Sequence, residues 1–233
     1  MELFVDEYGT YKRPQNNVVG YINSVCNDFS YKFYSGIYFL QGEVDCGAWS
    51  FACSLLDASY IKEENYGKLL SNGTNFKSIT LNGKNIDYTN FAEIANLSFH
   101  VGQYKMYKKK TFGLVLRETL KKSKSTYTVD ELVDKFELLP EFLDQEIRTL
   151  NMRMWGCFPA IGFAQNKKIF VFPWLSKMYF PSTILFRVCR VLSKEDVIVL
   201  VPCSEKIKIP TEEKFNVVRM NSLFKFDYEN IDN

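Results

Sequence analysis

The hydrophobic pattern gives the first part of the chain a strand-like character that changes to a helical one. Four short segments with bursts of apolar and polar residues predict strands, and the last of them is an apolar run: LFVDEYGTY, VVGYINSVC, FSYKFY and GIYFLQG. The following segment, AWSFACSLLDASYI, has apolar residues at helical spacing, with Ser50 as an exception. The pattern therefore predicts a strand, a turn between Gly42 and Gly47, and then a helix.

The middle of the chain combines a hairpin, a short strand and a long helical region. KSITLNGKNI predicts a hairpin because its Asn82-Gly83 pair favours a tight turn, and IANLSFHVGQ predicts a strand. From GLVLRETLKK to about residue 165 the apolar residues have helical spacing. Within this region, Thr128 followed by Glu131 predicts a capping box at the start of a helix.

The last part of the chain completes the core. KKIFVF and DVIVLVP are apolar without alternation, PSTILFRVCRVL between them predicts a helix, and NVVRMNSLFKFDYENI predicts a final strand pair. Apolar strands joined by helices favour an α/β fold with a parallel sheet that is covered on both faces. Since no Pro/Gly/Ser-rich linker and no repeat interrupts the chain, we expect one domain over residues 1–233.

Composition and charge exclude several classes of function. The net charge of +2 gives no electrostatic basis for binding nucleic acid. The six cysteines include no C-x-x-C pair and His100 is the single histidine, so no metal site is predicted. No run of about eighteen apolar residues occurs, and the acidic start MELFVDEYGT does not predict a secretion signal. The aromatic share of 16% indicates either a large core or a partner-binding surface.

One stretch, GEVDCGAWSF at residues 42–51, matches half of the phosphate-binding pattern G-x-x-x-x-G-K-[ST]. Gly42 and Gly47 have the required spacing, but Ala48 and Trp49 stand where the pattern has lysine and a hydroxyl residue. Taken alone, the two glycines also fit a tight strand-to-helix turn in any α/β protein. The neighbouring motifs are needed to choose between these interpretations.

The order of motifs from about Phe29 to about residue 205 resembles the ATP-binding subunit of an ABC transporter. LVLRETL is similar to the family's LTVRENL, and AQNKKIFVFPWLS is similar to ANPKVLLLDEPTS. The other matching segments are the strand and loop up to GEVDCGAWSF, the hairpin KSITLNGKNI, SFHVGQ, LDQEIRTLN and DVIVLVPCSE. The resemblance implies a P-loop NTPase fold with a mostly parallel core sheet, an antiparallel β subdomain and a helical subdomain at about residues 104–160.

The resemblance also implies where the phosphate-handling groups should stand, and most of those positions hold other residues. Gly42, Gly47, Ser50 and Gln103, the glutamine near the γ-phosphate, match the family. Ala48 replaces the lysine that neutralises phosphate oxygens, and Trp49 replaces the hydroxyl that holds magnesium. Asp45 adds a negative charge where the loop should bind an anion.

The remaining catalytic positions are also replaced. Pro173 and Trp174 stand for the magnesium-binding aspartate and the glutamate that polarises water, and neither can bind a cation or accept a proton. The other replacements are Phe180 for the aspartate of the next loop, Cys203 for the switch histidine, and Leu150, Asn151, Met152 and Arg153 for the signature motif. We therefore expect no catalytic residue, no metal site and no binding of ATP with magnesium.

The expected function follows from the resemblance together with these losses. It is a catalytically inactive subunit on the cytoplasmic face of the membrane, docked on a transmembrane permease near residues 104–120. Its second partner would be an intact ABC ATPase subunit or a second copy of itself. A different class remains open, namely a standalone scaffold or immunity-type binding protein with the same fold. A third, an active nucleotide enzyme with displaced groups, would need a basic residue near the loop.

The vacated nucleotide cavity carries two further expectations. Trp49 and Trp174 are expected to fill it by apolar packing. Cys46 and Cys203 should lie near one another if the fold is that of the family. Buried free thiols are expected there, although a disulfide or a metal between the two remains open.

Overall fold

The structure is a computed structural model that describes residues 1–10, 29–42, 46–48, 51–52, 55, 74–75, 78–86, 95–97, 109–176, 182–211 and 213–220. Its strands are β1 (Glu2–Thr10), β2 (Phe29–Tyr34), β3 (Gly36–Gly42), β4 (Thr74–Asn75), β5 (Ser78–Leu81), β6 (Lys84–Asn85), β7 (Ala95–Leu97), β8 (Ile169–Val171), β9 (Ile198–Ser204) and β10 (Asn216–Arg219). Apart from the helical residues Ala48, Phe51 and Ala52, the helices of the described residues are α1 (Phe112–Ser123), α2 (Val129–Lys135), α3 (Met154–Ala164) and α4 (Ser182–Leu192). Three 3-10 segments, Pro140–Asp144, Ile147–Thr149 and Asn151–Arg153, connect α2 with α3.

A five-stranded sheet in the order β10-β3-β9-β8-β7 forms the centre of the fold. Each neighbouring pair is parallel, which confirms the predicted parallel core. Strand β9 lies between β3 and β8, so the segments that follow β3 and β8 leave the same edge of the sheet one strand apart. This edge, at the carboxyl ends of parallel strands, is where α/β folds commonly bind ligands.

The parallel sheet is covered on both faces, as the unalternating strands predict. Ile37 and Phe39 of β3 are fully buried in a cluster with residues of α1, α3 and α4. Tyr38 and Leu40 are buried on the opposite side, in a cluster with Phe51 and with Leu3 and other residues of the antiparallel sheet. A strand buried on both faces has no polar side to expose, which explains its continuous apolar run.

The second sheet is antiparallel, with strands in the order β2-β1-β5-β6 and β4 paired to β1. The predicted hairpin is confirmed, because Asn82 and Gly83 connect β5 to β6 with φ angles of 51° and 76°. These positive φ values are typical of the tight turn that asparagine and glycine favour. The predicted strand VVGYINSVC and the second strand of the predicted C-terminal pair lie outside the described residues.

The helical region lies between β7 and β8, as predicted. At the start of α2, Thr128 Oγ1 accepts from the Glu131 backbone N–H at 3.2 Å, and Glu131 Oε2 accepts from the Thr128 N–H at 2.7 Å. This is the predicted capping box, and its hydrogen bonds lower the pKa of Glu131. In α3, the fully buried Trp155 stacks on Phe172, with ring centres 5.8 Å apart. This stack joins the helical region to the chain just after β8.

Every helix among the described residues is too short or too polar to cross a bilayer.

Candidate functional site

Strand β3 ends at Gly42, and the chain turns into a helix at Gly47. Gly47 has a φ of 84°, a left-handed conformation that glycine adopts without steric cost. The Phe51 N–H donates to the Gly47 carbonyl at 2.8 Å, which is the i to i+4 bond of an α-helix, and Ala48, Phe51 and Ala52 are helical. The predicted order of a strand, a glycine-bounded turn and a helix is confirmed at the described residues of this segment.

The structure explains Gly42 by close packing. A Cβ atom at Gly42 would lie 2.3 Å from the backbone oxygen of Met220 and 2.6 Å from Cys46 Sγ. Met220 is fixed there, because its N–H donates to the Gln41 carbonyl at 2.9 Å. The glycine is thus required by the approach of the chain after β10, whether or not the loop binds a phosphate. No sequence pattern pointed to Met220, since a contact to a backbone carbonyl does not depend on the residue type.

The position that the resemblance gives to the phosphate-binding lysine is buried. Ala48 has no solvent exposure and belongs to an apolar cluster that we call the Ala48 cluster. Its members come from the turn, both sheets and the chain after β8: Leu3, Val5, Phe33, Tyr38, Leu40, Cys46, Ala48, Phe51, Ala52, Leu55, Ile79, Ala95, Ile169, Val171, Trp174, Ile198, Leu200, Val218 and Met220. Not one of these side chains carries a charge.

The chain after β8 is held against β9 rather than projecting from the sheet. Leu175 N–H donates to the Pro202 carbonyl at 3.0 Å, and Ser204 N–H donates to the Leu175 carbonyl at 2.9 Å. Between these anchors and β8, Pro173 is half-buried and Trp174 is 9% exposed within the Ala48 cluster. The sequence of residues 169–176, IFVFPWLS, contains no carboxylate. The apolar packing predicted for Trp174 is therefore what the structure has.

Cys203, at the position implied for the switch histidine, lies near the end of β9 beside Gln41 of β3. It is fully buried, and burial raises the pKa of its thiol to about 12, with the neighbouring Cys46 thiol adding to the rise. The expected proximity of Cys46 and Cys203 is confirmed by the effect of one thiol on the other, and the two are not joined by a disulfide. In the part of the chain that the structure describes, no three potential metal ligands come together.

The four described thiols, Cys46, Cys157, Cys189 and Cys203, are expected to be unreactive in the native protein. All four are buried; burial raises the pKa of Cys157 to about 12 and also raises the pKa of Cys189. Only the thiolate attacks a disulfide reagent. A variant with Cys26→Ser and Cys53→Ser leaves only these four thiols. Each thiolate that forms a mixed disulfide with an aromatic disulfide reagent releases one chromophoric thiolate, which can be followed before and after unfolding. We expect no release until urea unfolds the chain; rapid release under native conditions would contradict the burial.

The segment that the resemblance assigns to the signature motif immediately precedes helix α3. Leu150 is fully buried, and Asn151–Arg153 forms a 3-10 turn that leads into Met154. Asn151 has a positive φ of 47°. The Arg153 guanidinium lies 4.9 Å from the centre of the Phe142 ring and donates to Gln145 Oε1. Both contacts of the Arg153 guanidinium are therefore with residues of the helical region.

Several of the predicted site residues lie outside the described part of the chain. These are Asp45, Trp49, Ser50, Gln103 and Phe180. Their assignments remain predictions from the resemblance. The described site thus consists of Gly42, Gly47, Ala48, Pro173, Trp174 and Cys203, which the parallel sheet brings to one edge, and the separate segment Leu150–Arg153.

Comparisons with known proteins identify the fold. No protein-family model matches the chain, and a search of characterised proteins gives no match. Among solved structures, the chain is similar to an ABC transporter ATP-binding protein from Pyrococcus furiosus, with a TM-score of 0.56 and 11% identity over 94% of this chain and 98% of that one. It is also similar to a bacterial Atm1-family ABC exporter with ATP bound, with a TM-score of 0.55 and 11% identity over 96% of this chain and 38% of that one. The chain therefore has the fold of the ATP-binding proteins of ABC transporters.

Proposed function

We propose that this chain is a catalytically inactive, ATP-binding-type subunit of a membrane ABC transporter. The observation that carries the proposal is Ala48, a fully buried alanine in an uncharged cluster at the position where an ATPase of this fold has its phosphate-binding lysine. A helix follows Gly47, but its first residue, Ala48, carries no positive charge.

Phosphoryl transfer on this fold needs cations that neutralise the phosphate oxygens and ligands that hold magnesium. A methyl group at Ala48 supplies no charge, and neither Pro173 nor Trp174 can ligate a metal. A triphosphate at Ala48 would also bring its charges next to the apolar Ala48 cluster, where they would lack ionic partners. These properties support the binding of partner proteins, without ATP hydrolysis, as the role of the subunit. ATP with magnesium is not expected to be a cofactor.

The proposed role is mechanical. The subunit would sit on the cytoplasmic face of the membrane and hold a transmembrane permease near residues 104–120, whose described part includes the first turns of α1. Leu114 of α1 is 38% exposed and offers an apolar contact on this segment. Because a transporter needs ATP hydrolysis, an intact ABC ATPase subunit is the proposed second partner, and a homodimer would lack a power source.

Purification of the tagged chain from solubilised membranes tests this proposal. We expect a permease and a second ATP-binding protein with an intact lysine motif to co-purify. A Leu114→Glu variant should lose the permease, whereas Tyr34→Glu, which changes an exposed residue on the antiparallel sheet, should retain it. Recovery of soluble proteins alone would contradict the proposal and favour a standalone scaffold with this fold.

A further inference from the structure

One side of helix α1 carries a concentration of positive charge that the proposed function does not use. Arg117, Lys121, Lys122 and the C-cap residue Lys124 are all exposed, and we call these four residues the basic face. Within the described residues, none of the four takes part in an ion pair. Their charges are therefore available to a partner.

The only acid of this segment is already neutralised. Both carboxylate oxygens of Glu118 accept from Lys110 Nζ at 2.7 Å. Residues 109–124 contain six lysines and arginines and this one acid, a net charge of +5, whereas the whole chain has a net charge of +2. The rest of the chain is therefore acidic on balance, and the positive charge is concentrated on this helix.

The next segment has the opposite charge. Residues 129–146 contain seven acids and one lysine, a net charge of −6. On a surface that serves only solubility, opposite charges are usually interspersed. The separation of net charges of +5 and −6 into consecutive segments instead favours a negatively charged partner that contacts α1 alone.

We propose that the basic face of α1 binds the surface of an anionic phospholipid membrane. The apolar side of α1 is buried in the core of the protein, so the basic face is on the side of the helix that a partner can contact. A cluster of four or more cations on a helix is typical of segments that bind anionic membranes, with the cations at the lipid phosphates. A long nucleic acid fits less well, because it would extend beyond the short α1 toward the acidic segment.

The strength of the interaction can be estimated from its charges. Each lysine or arginine near an anionic membrane contributes about 1 kcal/mol, which corresponds to roughly a five-fold gain in partitioning. Loss of all four charges should thus weaken association by on the order of 100-fold or more. The effect should decrease with salt, because exposed charges are screened over about 10 Å at 0.1 M ionic strength.

The test measures co-sedimentation of the purified chain with vesicles of phosphatidylcholine alone or mixed equally with phosphatidylglycerol. We expect association with the anionic vesicles only, and its loss in the variant R117Q/K121Q/K122Q/K124Q. The matched control K84Q/K206Q/K208Q/K214Q removes the same number of exposed charges from outside the helical region. It should sediment like the wild-type chain, and both variants should melt at the wild-type temperature.

Three results would overturn the proposal. The first is a failure of the wild-type chain to bind anionic vesicles at low salt. Equal losses in the two quadruple variants would show that only net charge matters. Binding of RNA, or salt-dependent self-association through the basic face, without vesicle binding would assign the face to another partner. Because neither permease nor ATPase is present, this experiment is independent of the function proposed above.

Discussion

The substitution Ala48→Lys is expected to lower the free energy of unfolding by about 3–5 kcal/mol, the cost of leaving a charge buried without a partner. Ala48 has no solvent exposure, and every other member of the Ala48 cluster is uncharged. Urea denaturation followed by circular dichroism measures the change. Ala48→Met is the matched control, since methionine is nearly as long as lysine but has no charge; the extra volume alone should cost about 1–3 kcal/mol.

The same variant distinguishes a closed apolar site from an open phosphate site. If the loop after β3 still had room and partners for a phosphate, a lysine at residue 48 would be accommodated, and ATP would stabilise the variant. A stability of Ala48→Lys equal to that of Ala48→Met, together with stabilisation by ATP, would contradict the closed site. We expect instead that ATP has no effect on either variant.

The substitution Gly42→Ala is expected to destabilise the chain by about 3 kcal/mol, at the upper end of the cost of overpacking. The added methyl group would lie 2.3 Å from the Met220 carbonyl oxygen and 2.6 Å from Cys46 Sγ. The sulfur belongs to a side chain that has limited room to move, and the oxygen belongs to a backbone that is hydrogen-bonded to Gln41. Thermal or urea denaturation of the purified variant measures the loss.

Gly83→Ala provides the control for Gly42→Ala. A Cβ atom at Gly83 has no neighbour within 4 Å, so its cost comes only from the positive φ of 76°. Such strain costs roughly 1 kcal/mol. If both variants lose the same small amount of stability, the close approach of Met220 to Gly42 is wrong.

The elements that local signals specify could be predicted from the sequence. Asn82-Gly83 provides the turn of the β5–β6 hairpin, and Thr128 with Glu131 forms the cap of α2, because both depend on residues close in sequence. The apolar runs that form β8 and β9 likewise predicted buried parallel strands. The burial of Trp174 was predicted from the motif order, because the resemblance places this indole at the vacated nucleotide cavity.

The parts that depend on distant contacts could not be predicted. Nothing in the residues 216–219 indicates that β10 pairs with β3, because parallel pairing joins segments far apart in sequence. The contact between Met220 and Gly42 follows from that pairing and was missed with it. Between α2 and α3, helical periodicity did not reveal that the chain forms three short 3-10 segments, beginning at Pro140. Such turns are set by local packing and hydrogen bonding more than by an apolar repeat.

Binding of magnesium and ATP by the purified wild-type chain is the most direct test of the proposed catalytic inactivity. The melting temperature is measured with magnesium alone and with magnesium plus ATP, and phosphate release is followed in the same samples. If Ala48, Pro173 and Trp174 stand at the phosphate-handling positions, as the resemblance implies, the melting temperature should be the same in both and no phosphate should be released. A saturable, magnesium-dependent rise in melting temperature accompanied by ATP hydrolysis would contradict it.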